Sequence, residues 1–128
     1  MLQSEHDKIA IPIINGFDFV LFSDIIRLQS EGNYCNFFLT GKKQFQTSHH
    51  LKFFEPKLLA NGFMRVHESN IINIVYVKRY IRGDGGYVIM EDGSKADVSR
   101  SHKAELLEVL MRRSGCPALI NRIINHLH

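Results

Sequence analysis

The residues best equipped for chemistry in this 128-residue chain form a polar knot, His67-Glu68-Ser69-Asn70. The chain enters it through Phe63-Met64-Arg65-Val66 and leaves through Ile71-Ile72. Apolar flanks pin such a segment to a core at both ends, and no Gly or Pro explains it as a plain turn. An imidazole, a carboxylate, a hydroxyl and a carboxamide offer donors and acceptors of the kind that touch base edges or phosphates. The same groups can instead satisfy one another, with Ser69 and Asn70 capping local backbone. Further along, Val98-Ser99-Arg100-Ser101 ends a strand with a guanidinium, the side chain best suited to a bidentate contact with guanine or a phosphate clamp. Arg100 would stand near a helix start, where a cation without an anionic partner is disfavoured by the dipole, and this tilts it toward a ligand.

Other combinations carry less. Arg82-Gly83-Asp84-Gly85-Gly86 lacks the Lys-Ser/Thr of a phosphate-binding loop and is no G-x-G-x-x-G opening a helix. Its glycines most simply supply positive φ in a hairpin, and its Arg-Gly-Asp triplet is best treated as chance. The seven histidines contain no H-x-x-x-H pair or Cys/His quartet, so no zinc site, other metal or cofactor is expected. Cys35 and Cys116 are far apart and read as reduced thiols, Cys35 packed rather than nucleophilic. With no carboxylate pair and no Ser/His/Asp set, an enzyme is not expected. Lys42, Lys43, Lys95, His102 and Lys103 are candidate phosphate neutralisers, each equally serviceable as an ordinary surface side chain.

Short strands must hold these groups. Apolar runs over 9–14 and 17–22 flank Asn15-Gly16, a strong hairpin signal, and Pro12 puts the first at an edge. After a tight turn at Ser23-Asp24, strands are expected over 25–30, 34–39 and 44–47, joined by Glu31-Gly32-Asn33 and Thr40-Gly41-Lys42-Lys43. Ser48 is a candidate N-cap for a helix over 49–60, with Leu51, Phe54, Leu58 and Leu59 at helical spacing. Pro56 fits only if a second short helix starts near Glu55. Beyond the knot, one strand runs over 71–77, a hairpin pairs 78–82 with 87–91, and Asp92-Gly93 is a type I′ signal leading to 95–98. Ser99 or Ser101 then caps a helix over 102–113. Past Gly115-Cys116-Pro117, Leu119, Ile123, Ile124 and Leu127 make an apolar stripe read as a small terminal helix. Many short strands between turns mean a mainly β architecture with peripheral short helices and a C-terminal helix. The chain is expected to divide into a disordered or tag-like start over 1–8, one domain over 9–113 and a helical tail over 114–128.

Hydrophobic content of 45% and charged content of 23% are those of a globular chain able to bury a core. No apolar run is long enough for a bilayer and the start is too polar for a signal peptide, so a cytoplasmic location without membrane contact is expected. Residues 1–40 hold two basic and five acidic side chains, residues 41–128 fourteen and eight. The overall charge of +3 thus hides an asymmetry that would draw a polyanion to one part of the molecule, although scattered surface lysines give it too.

Six pieces in order carry a family resemblance: Phe22-Ser23-Asp24-Ile25-Ile26-Arg27-Leu28, Glu31-Gly32-Asn33-Tyr34, Phe63 to Ser69, Ile72-Asn73, Arg82 to Tyr87, and Val98-Ser99-Arg100. Over Phe17 to Leu110 the chain resembles a LytTR-type DNA-binding domain, the output module of many bacterial two-component response regulators. The resemblance implies an elongated stack of small antiparallel sheets that docks loops, rather than a recognition helix, into the major grooves of double-stranded DNA. The matching loops hold Asn33, Tyr34, Cys35 and Asn36, then His67, Glu68, Ser69 and Asn70, then Ser99 and Arg100. It further implies sequence-specific transcriptional regulation at paired or repeated sites, a bent duplex, a homodimer on DNA, and an N-terminal phosphoacceptor receiver domain missing from this chain. Glu68 departs from the family, which commonly has a basic or amide-bearing residue there, and Asn70 stands where relatives are often aromatic. Phosphates repel the Glu68 carboxylate unless it accepts from a cytosine amino group or pairs with Arg65 or Arg100, so base preference is altered or binding is weak. A second reading is a protein-interaction or dimerisation module on the same scaffold, using the knot or the C-terminal stripe.

Overall fold

A computed structural model of the chain describes residues 7–115. All pairing among its strands is antiparallel. β1 (Lys8–Ile13) and β2 (Gly16–Leu21) form a hairpin of their own. β3 (Ile25–Glu31), β4 (Tyr34–Leu39), β5 (Lys43–Thr47), β6 (Phe63–His67) and β7 (Asn70–Asn73) form a five-stranded sheet in the order β5-β4-β3-β7-β6. β8 (Val77–Ile81), β9 (Tyr87–Met90) and β10 (Lys95–Asp97) form a third sheet, and the helices are α1 (Leu51–Leu59) and α2 (Arg100–Arg113). The mainly β class with small antiparallel sheets is therefore observed.

The five-stranded sheet is the middle layer because its strands are apolar on both faces. On one side Ile25, Leu28, Phe37, Phe63 and Ile71 pack against Ile9 and Ile11 of β1 and Leu51, Phe54 and Leu58 of α1. On the other, Ile26, Met64, Val66 and Ile72 pack against Val88, Met90 and Ala96 of the third sheet and Leu106 of α2. Neighbours in sequence thus enter opposite cores, Phe63 and Met64 on β6, Ile71 and Ile72 on β7, as the two-residue period of a strand requires. A strand covered on both faces reads as a continuous apolar run, and every residue of β7 is buried.

Several local expectations are corrected. The strand read over 71–77 is two elements: Asn73 is buried, donates Nδ2 to the Ile25 carbonyl at 2.9 Å and accepts from the Val75 N–H at 3.4 Å. These side-chain bonds replace ladder bonds, and a 3-10 turn at Ile74–Tyr76 carries the chain into the third sheet. α1 runs unbroken through Pro56, without a second helix, and its N-cap is His50 rather than Ser48. Pro56 and Lys52 are both exposed, so the carbonyl that loses its partner faces water. α2 begins at Arg100, two residues before the expected start, with Ser99 at its cap. Asn15-Gly16 does not form the first hairpin's turn; Ile13 pairs with Gly16, leaving Ile14-Asn15 at the tip. Glu91, Asp92 and Gly93 form a three-residue loop closed by Met90 N–H to the Ser94 carbonyl at 2.8 Å. Only Gly93 there has positive φ (85°), so the type I′ turn expected at Asp92-Gly93 is absent. The stripe at Leu119, Ile123, Ile124 and Leu127, and Cys116, lie outside the described residues. Among the described residues no helix is long and apolar enough to cross a membrane.

Candidate nucleic-acid interface

The β3–β4 turn, the β6–β7 turn and the β10–α2 junction meet at one end of the middle sheet. Strand order brings the first two together, because β7 pairs with both β3 and β6. Ser30 N–H donates to the Ser69 carbonyl at 2.9 Å, and Ser99 N–H donates to the Val66 carbonyl at 2.8 Å. Asn70 Nδ2 donates to the Asp97 carbonyl at 3.1 Å. Three segments distant in sequence are thereby fixed to one another.

At the first tip, Gly32 takes φ +61° in a two-residue turn between Glu31 and Tyr34, leaving Asn33 and Tyr34 exposed. Asn36 Nδ2 donates to the Glu31 carboxylate at 2.9 Å, and its Oδ1 accepts from Gln46 Nε2 at 2.9 Å. Cys35 alternates to the other face and is fully buried. Desolvation pushes its thiol up to about 12. Its side chain therefore belongs to the core and is withdrawn as a DNA contact.

The knot is braced by Arg65. Its Nη1 donates to the Glu55 carboxylate of α1, its Nε to the His67 carbonyl at 3.0 Å, and its Nη2 to the Glu68 carbonyl. Arg65 thus holds the main chain of Glu68 rather than its carboxylate, which is exposed and makes no ion pair among the described residues. His67 Nδ1 accepts from the Ser69 N–H at 3.1 Å and lies 3.0 Å from Ser69 Oγ. The neutral ring then carries its proton on Nε2, where it presents a donor. Asn70 is no part of the exposed tip. It is the buried first residue of β7, and its amide joins the middle sheet to β10, so it too is withdrawn as a base reader.

At the third tip Ser99 Oγ lies 2.5 Å from His102 Nδ1 and 3.2 Å from Ser101 Oγ. The expectation that Arg100 lacks an anionic partner is overturned. Its Nη2 donates to Asp84 Oδ2 at 2.8 Å, and Lys103 Nζ donates to the Asp84 carbonyl at 2.8 Å. The hydrogen bond between them, with their opposite charges, holds the Asp84 carboxyl below the usual range and raises the guanidinium of Arg100. The glycine turn is therefore more than a hairpin loop. Gly86 has φ +79°, but Gly85 is required by close approach: a Cβ there would sit 1.9 Å from the Val98 carbonyl oxygen. Asp84 was missed as a functional candidate. The available signals were more glycines than one hairpin needs and an arginine at a helix start without a local acid.

The remaining basic candidates scatter. Lys42 and Lys43 sit at the opposite end of the middle sheet, a β4 length away, about 17 Å. Lys95 lies over the Tyr87 ring, 4.3 Å from its centre. Glu31, Glu68, Asp84 and Asp97 are exposed beside Arg65, Arg100 and Lys103, so this end carries mixed charge. Among the described residues no three His, Cys, Asp or Glu side chains converge as a metal site requires.

A family model described as the LytTr DNA-binding domain matches residues 16–111. The sensory transduction protein LytT of Bacillus subtilis is 33% identical over 105 residues, which cover 80% of this chain and 43% of the relative. The heme-containing CO-sensing transcriptional regulator RcoM 2 of Paraburkholderia xenovorans is 30% identical over 90 residues, 68% of this chain and 33% of the relative. The chain thus spans less than half the length of these curated relatives. A solved LytTr DNA-binding domain from Bacillus cereus shares the fold with a TM-score of 0.65 at 21% identity, covering 82% of this chain and 96% of that one.

Proposed function

The chain belongs to the LytTr DNA-binding domain family, and from that premise we propose that it reads double-stranded DNA sequence-specifically, as the output domain of a transcriptional regulator, through the end of the middle sheet where three tips meet. The observation that supports this most is the set of hydrogen bonds joining Ser30 to Ser69, Val66 to Ser99 and Asn70 to Asp97. They give separate loops one common aim, which groove docking by loops requires. His67 offers its Nε2 donor, Ser69 and Ser99 their hydroxyls, Asn33 and Tyr34 their exposed polar ends, and Asn36 acts with Gln46 and Glu31. Glu68, held by its main chain with a free carboxylate, is suited to accept from a cytosine amino group. Arg100, His102 and Lys103 serve phosphate or guanine, while Lys42, Lys43 and Lys95 make at most secondary phosphate contacts.

In the intact protein we expect a cytoplasmic regulator that binds paired or repeated sites as a homodimer on DNA. A two-component receiver domain is the partner favoured by the likeness to sensory transduction proteins. A sensor of another kind is the alternative, since RcoM 2 is named as heme-containing and CO-sensing. Anisotropy titration against pooled random duplexes at low ionic strength, followed by selection of the bound pool, tests the proposal. Salt-sensitive binding with an enriched sequence supports it; no binding at any salt overturns it.

One observation favours the second reading, a dimerisation module. The β1–β2 hairpin exposes Phe17 at 59% and Phe19 at 64%, with Ile14 fully exposed at its tip. That reading expects weakened DNA binding and a concentration-dependent dimer by sedimentation, the dimer being lost on replacing Phe17 and Phe19 with serine.

A further inference from the structure

The glycine turn delivers a carboxylate to the two cations nearest the start of α2, and nothing in the fold needs it there. Asp84 and Arg100 have side chains 84% and 76% exposed, and ion pairs so exposed contribute little to stability. The turn nevertheless fixes Asp84 in place. Tyr80 Oη donates to the Gly85 carbonyl at 2.8 Å, Val98 N–H donates to the Gly86 carbonyl at 3.0 Å, and Gly85 lies against the Val98 main chain. Lys103 Nζ closes the arrangement on the Asp84 carbonyl at 2.8 Å.

We propose that Asp84 is an internal competitor of the DNA backbone, occupying Arg100 and crowding Lys103 so as to set the domain's affinity from within. This rests on the reading of the α2 start as part of the DNA interface. A phosphate oxygen is the same kind of acceptor as Asp84 Oδ2, and it engages a guanidinium at least as well. Binding must then displace Asp84 or bring phosphate beside an uncompensated carboxylate. Either way affinity falls. A cation already neutralised by its own chain also adds less to counterion release, so the salt dependence is shallower than the number of cations implies.

The test is anisotropy titration of one duplex, selected from a random pool, across a salt series, with wild type, Asp84→Asn, Arg100→Gln, the double variant, and Asp18→Asn. Asp18 is exposed on β2, in a sheet that carries none of the three tips, and matches the change in charge. Asp84→Asn should bind about three- to five-fold tighter at low salt. Its plot of log affinity against log salt should steepen by about one. The gain should vanish in the Arg100→Gln background, and Asp18→Asn should stay close to wild type. A gain no greater than that of Asp18→Asn, or one that persists undiminished without Arg100, overturns the proposal. If wild type and every variant fail to bind any duplex, the DNA reading falls and this inference falls with it. Circular dichroism of each variant confirms the fold, and Asp84→Ser gives a second neutral replacement with the same expected gain.

Discussion

At one end of the middle sheet the cations are held: Arg65 by Glu55 and two carbonyls, Arg100 and Lys103 by Asp84. At the other end Lys42 and Lys43 stand exposed on a turn, Lys42 with φ +59°, and neither makes an ion pair among the described residues. Both ends carry cations, but only one has them placed by neighbouring groups. Where charge is positioned by neighbouring segments it can select a partner's geometry; where it is merely present it attracts any polyanion within a Debye length.

That contrast can be broken from the structural side first. Gly85→Ala should be the most damaging change, because its Cβ meets backbone at Val98 and the glycine turn must separate from the α2 junction. A loss of about 3 kcal/mol is expected in denaturant melting. Arg65→Ala removes the brace between α1 and the knot and should cost about 2 kcal/mol of stability, with weaker DNA binding as the knot loosens. Arg100→Ala should weaken binding by about 1–2 kcal/mol. A loss confined to one base position assigns Arg100 to a base, and one equal for all sequences assigns it to phosphate. Replacing Lys42 and Lys43 together should cost less than about 0.5 kcal/mol at moderate salt. A loss as large as that of Arg100→Ala would erase the difference between the two ends.

Cys35 gives the smallest effect at neutral pH. Its folded thiol is pushed up to about 12, above the ordinary value of 9.0. Its contribution to stability is complete below pH 9 and is lost as pH rises toward 12. Cys35→Ala should flatten the decline of stability over that range, and iodoacetamide at pH 8 should leave Cys35 unmodified in the native chain, as mass spectrometry would show.

The positions of the strands were legible because period-two alternation and glycine turns are local signals. The apolar run Ile71-Ile72 read as strand, but its burial on both faces and the break after Asn73 were not legible, since the break depends on a carbonyl of Ile25 from a distant strand. The tips were legible as polar residues between apolar flanks. Which of their side chains face outward was legible only in part: Cys35 reads as a packed thiol, whereas the inward turn of Asn70 depends on the layer packed above it. Asp84 and Arg100 are sixteen positions apart, and no spacing rule links a hairpin loop to a helix start. The approach of Gly85 to Val98, with the Val98 N–H bond to the Gly86 carbonyl, makes them neighbours.

The most direct test of the shared aim of the three tips is a backbone amide NMR titration with a duplex selected from a random pool. Shifts are expected to concentrate at 32–36, 67–69 and 99–103, while 40–43 stay nearly unmoved. Shifts centred on 40–43, or on the β1–β2 hairpin with the tips silent, would contradict it.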